Sequence, residues 1–364
     1  ENNGDVPTNP LEFESINLRS KFQWKIDDDN KLELTLEHFN RDRFVNALSA
    51  NQFTNIFDKS ILNWENQTRS RYSLSWDHQP VEYTSPLFDS LKSNLYYQAS
   101  QNSSKNKSES LTGRVRDQII EFDTEILGFD TKFLKETQRH KLTYGLEAST
   151  SKSENRFYRE DNGLPPFPNR ISFAPSDTNR VGTYIQTDFR PTEISPWSFI
   201  LGMRLDYYQV KPELSSDYLE RINRLSQSST AFQPAKSLDN LTLAPRLDIK
   251  YDLTQDSRIY AKYSRGVRNP TAEEVSMIFD HPAIGGSPAG SLTLPNPDLR
   301  EESSNAYEIG YKYLNENVKF QASSFYTRYS DFIENGATTG QQTPEGQDIL
   351  TTANRGSALP LIPI

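Results

Sequence analysis

The chain contains no cysteine, which removes disulfide frameworks, thiolate metal sites and cysteine nucleophiles. Histidine is scarce: His38, His78, His140 and His281 are the only four in 364 residues. No run approaches the 18 or so apolar residues of a membrane-crossing helix, so any membrane role must use strands. The start, Glu1-Asn2-Asn3-Gly4, lacks the basic and apolar regions of a signal peptide, so none is read here. Positive charge is not in excess either. The 40 Lys and Arg are dispersed among 49 Asp and Glu, which argues against nucleic acid as a partner, because phosphate binding needs a concentrated basic footprint. A Gly-rich phosphate loop and a nucleophile elbow are both missing, and no enzyme activity is expected.

What the chain does have is aromatic residues: 12% of the total, with 18 Tyr and 20 Phe, although hydrophobic residues reach only 34%. That is too aromatic for disorder. A negative mean hydropathy is compatible with membrane embedding when half of each strand faces a polar lumen.

The organising signal is a period of two. Ile16, Leu18, Ser20, Phe22, Trp24 and Ile26 alternate with Arg19, Lys21 and Lys25. After a turn at Asp27–Asn30, Leu32, Leu34 and Leu36 oppose Glu33, Thr35 and Glu37, which completes a hairpin. Asp27-Asp28-Asp29-Asn30 lacks the Gly and distal Glu of a calcium loop, so it is read as a turn. The same figure recurs to about residue 329, giving about twelve strands. Connections alternate in length. Short turns fall at Asp27–Asn30, Glu136–Arg139, Pro191–Trp197, Leu253–Asp256 and Leu314–Glu316, and long polar stretches at 42–68, 103–116, 155–179, 211–240 and 266–304. Outer-membrane barrels have short periplasmic turns and longer extracellular loops.

A charge facing lipid at mid-bilayer costs about 2–4 kcal/mol, so each strand should own one charge-free row. Leu142, Tyr144, Leu146 and Ala148 form such a row, as do Phe199, Leu201, Met203, Leu205 and Tyr207, and Tyr307, Ile309, Tyr311 and Tyr313. Their partner rows carry charges such as Arg204 and Asp206. Trp24, Trp197, Tyr207, Tyr251, Tyr313, Phe325 and Tyr329, near strand ends, suit the headgroup interface. The expected fold is all-β: an antiparallel transmembrane β-barrel in contact with membrane lipid.

The stretch Leu243–Ile333 resembles the TonB-dependent receptor family. The residues that carry the resemblance are Ala244-Pro245-Arg246, Ile259-Tyr260-Ala261-Lys262-Tyr263-Ser264-Arg265-Gly266, Val267-Arg268-Asn269-Pro270 and Asn296-Pro297-Asp298-Leu299, followed by Tyr307-Glu308-Ile309-Gly310 and Ser324-Phe325-Tyr326. The resemblance implies an outer-membrane importer with a plugged barrel of about 22 strands, energised through the TonB complex. About twelve strands and no plug are visible, so the chain is read as a barrel fragment, whose tail Ala358–Ile364 does not alternate.

Within that family the chain is similar to haem and haemoglobin receptors, which place a histidine between a Phe-Arg-Ala-Pro box and an Asn-Pro-Asn-Leu box. Here Arg268 and Pro270 match the first box, with Val267 and Asn269 departing from it. Asn296, Pro297 and Leu299 match the second, with Asp298 departing. His281 lies between the boxes, beside Met277 and Phe279. The resemblance implies that His281 is an axial ligand to the iron of bound haem; the apolar patch beside it, Met277, Ile278, Phe279 and Pro282, could cover a porphyrin face and could equally form a small loop core. His38, His78 and His140 are expected to be ordinary interfacial residues. Haem, or a haem protein such as haemoglobin, is thus the expected cargo. A ferric siderophore or another iron carrier is the alternative, since the boxes serve both, and a surface barrel acting as adhesin or phospholipase is a third reading.

Overall fold

In the computed structural model the described residues are 9–48, 59–80, 85–162, 171–226, 233–281, 290–344 and 346–356. The tail Ala358–Ile364 lies outside them. A twelve-stranded antiparallel sheet runs in chain order through β1 (Leu11–Lys25), β2 (Asn30–Asn46), β3 (Ser60–His78), β4 (Ser90–Glu109), β5 (Val115–Glu136) and β6 (His140–Asp161). It continues through β7 (Ser176–Phe189), β8 (Trp197–Pro212), β9 (Leu238–Asp252), β10 (Ser257–Arg268), β13 (Glu302–Leu314) and β14 (Lys319–Ser330). α1 (Ser216–Ser226) lies between β8 and β9. α2 (Ala272–Ser276), β11 (Phe279–His281) and β12 (Ser291–Leu294) lie between β10 and β13. β15 (Phe332–Gln342) and β16 (Asp348–Arg355) follow, and a second, four-stranded sheet has the order β11-β12-β16-β15.

The cross-strand register explains the alternation. Phe22, Leu34, Leu74, Leu95, Phe129, Ala148, Val181, Tyr207 and Leu241 stand opposite one another from β1 to β9. This unbroken apolar row climbs from the short-turn end to the long-loop end, as tilted barrel strands require. Leu74, Leu95, Val181 and Leu241 are exposed at 45%, 49%, 46% and 68%. A patch of that extent is stable only against lipid.

Below this row, aromatic rings contact one another around the short-turn end: Phe88–Phe133 at 5.5 Å, Phe133–Tyr144 at 4.9 Å, Phe189–Phe199 at 5.2 Å and Trp197–Tyr251 at 4.6 Å. They form the headgroup girdle. Phe325 and Tyr329 do not belong with the interfacial aromatics. Phe325 stands opposite Glu308 and Tyr329 opposite Ser304, on the polar face. The outward row of β14 is Ser324, Tyr326 and Arg328, and a one-residue change of register exchanges the faces.

The opposite face is polar. Tyr96 lies flat over Gly128, where a Cβ would come within 2.3 Å of its ring, and Tyr260 lies over Gly310 in the same way. Tyr260 then donates to Glu308 at 2.7 Å, which also accepts from Lys262 at 2.9 Å. Arg204 bridges Glu147 at 2.7 Å and Asp206 at 2.6 Å.

The strands are longer than their apolar rows. β3, β4, β5 and β6 have 19, 20, 22 and 22 residues, about twice what a bilayer needs. The strands therefore reach into the loops expected at 42–68, 103–116 and 155–179: β2 runs to Asn46 and β3 starts at Ser60, β4 runs to Glu109 and β5 starts at Val115, and β6 runs to Asp161 and β7 starts at Ser176. Beyond the headgroups both faces of a strand are wet, so the ladder continues without an apolar row. At the other end, the Asp27 carboxylate accepts from the Asp29 N–H and the Asn30 side chain at 2.9 and 2.8 Å, a side-chain-closed turn.

Because the chain lacks cysteine, single-cysteine labelling can test this orientation. On intact cells a membrane-impermeant maleimide should label Thr112→Cys, in the β4–β5 loop, and leave Gln255→Cys, in the β9–β10 turn, unmodified. External labelling of Gln255→Cys alone would invert the topology.

Candidate functional site

The long connections at one end pack into a cap. Arg268, the last residue of β10, donates through Nη1 to both Glu274 oxygens at 3.0 and 2.9 Å. Its Nη2 reaches Glu302 at 3.1 Å. Glu274 also closes a capping box: the Thr271 N–H donates to its carboxylate at 2.8 Å, and its own N–H donates to Thr271 Oγ1 at 3.2 Å. Two orphan donors of a five-residue helix are thereby satisfied. The Pro270 carbonyl accepts from Tyr208 Oη at 2.6 Å.

The second box is held as firmly. Asn296 donates to the Thr352 carbonyl at 2.9 Å and accepts from the Asp298 N–H at 3.0 Å, and Pro297 opens the turn between them. Leu299 is buried with Tyr208, Val210, Leu238 and Val275. Tyr208, Val210 and Leu238 sit on the polar face of their strands, so the cap bends inward over the lumen. Arg268, Pro270, Asn296, Pro297 and Leu299 thus pin the cap to the rim.

The Met277–Phe279 patch divides. Ile278 is fully buried among Ala174, Tyr218, Ile222 and Ala235, and its N–H donates to the Ser172 carbonyl at 2.7 Å. Met277 and Phe279 are half-buried. The segment is therefore in part a loop core, nucleated by Tyr218, whose hydroxyl donates to the Ser276 carbonyl at 3.1 Å. Burial pushes the Tyr218 phenol above its usual value. The His281 backbone pairs with Ser291 in β11, an edge strand of the small sheet; its side chain lies outside the described residues.

The other histidines have ordinary partners. His38, within β2, contacts Ser70 Oγ at 3.0 Å, His78 contacts Asn30 at 2.9 Å, and His140 stacks on Phe189 at 5.5 Å.

Two features have no signal in the sequence. One is the parallel pairing of β12 with β16. The other is Asp161, whose fully buried side chain receives Arg114 at 3.0 Å, Arg116 at 2.8 Å and Arg159 at 2.7 Å. Only the β5–β6 ladder shows that they converge.

A lipid-facing antiparallel sheet with short turns at one end and a packed cap at the other defines an outer-membrane barrel guarded by its loops. More narrowly, the family described as "TonB dependent receptor-like, beta-barrel" matches residues 14–358, and the chain belongs to it. Hemoglobin-haptoglobin utilization protein B of Neisseria meningitidis serogroup C is 35% identical over 81 residues, 22% of this chain and 9% of that protein. Among solved structures, the copper transporter OprC superposes with a TM-score of 0.66 at 16% identity, covering 94% of this chain and 48% of that one. A mutant of the Serratia marcescens hemophore receptor HasR, in complex with its hemophore HasA and heme, gives 0.60 at 12% identity, covering 94% and 50%. The chain thus spans about half the length of these solved receptors. Copper and haem proteins share the fold, so the fold alone does not choose a cargo.

Proposed function

We propose that this receptor takes up haem, free or carried by a haem protein such as haemoglobin, with energy supplied through the TonB complex. The observation that carries the reading is the holding of the His281 segment. Its backbone is in a ladder, three residues beyond the fully buried Ile278, within a cap tied down by both boxes. An axial ligand to haem iron needs a neutral imidazole on a fixed backbone. Half-buried Met277 and Phe279 supply apolar surface beside it. Likeness to the haemoglobin-haptoglobin utilization protein supports the same cargo class. The role is transport rather than catalysis, and haem is cargo rather than a resident cofactor.

Replacing His281 with Ala in the intact receptor should weaken haem binding and shift the Soret band, while His78→Ala should do neither. Stability should change by no more than about 0.5 kcal/mol. An unchanged spectrum and unchanged growth on haem would remove the ligand assignment and leave a ferric siderophore as the better cargo.

A further inference from the structure

The polar face carries an unusual group of residues on β2 to β5, at the level where the strands leave the apolar belt. Phe39 stands opposite Arg69, Arg41 opposite Gln67, and Asn102 opposite Phe122. All of them but Arg41 line a groove of about 620 Å³, with Asn17 and Gln98 among its polar walls, a volume in the range of small-molecule sites; Arg41 stands at its edge, two residues along β2 from Phe39 and opposite the lining Gln67. Phe122 is 38% exposed on its open side, and its ring contacts the buried Phe173 of the β6–β7 loop at 5.7 Å. The groove therefore continues directly into the cap.

Its charge is unbalanced. Arg19 pairs with Glu37 at 3.2 Å and Arg43 with Glu65 at 3.1 Å. Arg71 covers the Tyr96 ring at 4.1 Å. Arg41 and Arg69 are both exposed, and among the described residues neither has a hydrogen-bond or ion-pair partner. Elsewhere on this face the chain neutralises its arginines, as at Arg204 and Arg246. In a chain with a net charge of -9, two guanidiniums thus stand beside two phenylalanines with no partner among the described residues.

We propose that this groove is a second haem site, beneath the cap, in which Arg41 and Arg69 bind the two propionates while Phe39 and Phe122 flank the porphyrin. The proposal rests on the haem reading above. Arg41 and Arg69 are diagonal neighbours across the β2–β3 ladder, their Cα atoms on the order of 7 Å apart, a spacing that two carboxylates on one edge of a macrocycle can bridge. Guanidinium is the better partner for a carboxylate because its planar fork donates two parallel bonds. Unpaired positive charge between low-dielectric walls also concentrates an anion arriving from the cap. An iron ligand is not required. The site holds the ring by its edge and faces, and so suits cargo in passage after it leaves the cap.

The test uses the intact receptor in detergent, in a His281→Ala background, titrated with haem and with haem dimethyl ester, which lacks the propionate charges. The parent should bind haem more tightly than the ester by about tenfold or more. Arg41→Gln/Arg69→Gln should erase that preference, and Phe39→Leu/Phe122→Leu should weaken both ligands alike. Should the arginine variant fail to assemble, the phenylalanine variant and the parent's haem-to-ester ratio carry the test. An undiminished preference for haem in the arginine variant overturns the site. So does unchanged haem affinity with a lowered melting temperature, which would mean that an acidic segment of the protein covers the arginines. If the receptor with His281 intact binds no haem but binds a ferric siderophore, the haem reading itself has failed, and this result is distinct from the other two.

Discussion

Asp161→Ala should open the end of the tallest hairpin. Asp161 accepts from Arg114, Arg116 and Arg159 together, and its side chain has no exposed surface. Alanine would remove the buried carboxylate on which the three guanidiniums converge. Removing one partner of a buried ion pair costs about 3–5 kcal/mol. Arg114 is 34% exposed and can turn to water, which puts the expected loss at about 3 kcal/mol. Amide exchange at residues 110–116 and 159–162 should accelerate by about two orders of magnitude, with the girdle at the opposite end unaffected. Unchanged protection would show that the ladder alone holds the tip.

The pH dependence has a definite sign. Burial opposes the charged form of Asp161, but the hydrogen bonds from Arg159, Arg116 and Arg114 prevail and hold its carboxyl well below the ordinary value of 3.8. A depressed carboxyl stabilises the fold above its unfolded value, and that contribution is lost only as pH falls through the folded one. Protection at the tip should therefore persist at about pH 4, where unpaired carboxylates are already half protonated.

Arg268→Ala should release the cap. Arg268 is 43% exposed, but the carboxylates it joins are not: Glu274 and Glu302 are 11% and 12% exposed. Glu302 also accepts from the Ile333 N–H at 3.2 Å, so one guanidinium ties β10, α2, β13 and β15 together. Its loss leaves two poorly solvated negative charges near each other. Discounted for the exposed arginine, the cost is about 2 kcal/mol, or roughly a thirtyfold shift toward the open cap. Limited proteolysis within 269–301 should speed up accordingly, and cargo affinity should fall by up to the same factor. Arg268→Lys should fall between, because one ammonium cannot serve both carboxylates with a fork. Proteolysis at the wild-type rate in the alanine variant would show that the apolar cluster around Leu299 holds the cap unaided.

Much of the fold was legible because lipid and lumen impose opposite demands on successive residues. Leu142 to Ala148 and Phe199 to Tyr207 declare their faces without help from any neighbour. The boxes were legible as motifs but not in their role. Arg268 and Asn296 are motif letters in one dimension and fasteners in the fold, where their partners, Glu302 and Thr352, lie 34 and 56 residues away. Ser103 to Lys107 reads as a loop in the sequence because a strand wetted on both faces has no reason to alternate. Phe325 was assigned to the wrong face because Phe325 and Tyr326 are adjacent aromatics, and only pairing with Tyr307 and Glu308 decides which meets lipid.

By itself the sequence determined that the chain crosses a membrane with strands, where the short turns fall and which rows meet lipid, since each follows from side chains one or two residues apart sorting between two solvents. The tertiary structure alone decided that Ile278 closes a core with Ala174, that β12 runs parallel to β16, that Asp161 gathers three arginines and that Arg41 and Arg69 flank Phe39 on one face. Those arrangements depend on which distant segments share a register, and no local periodicity encodes a partner that loop closure brings from dozens of residues away.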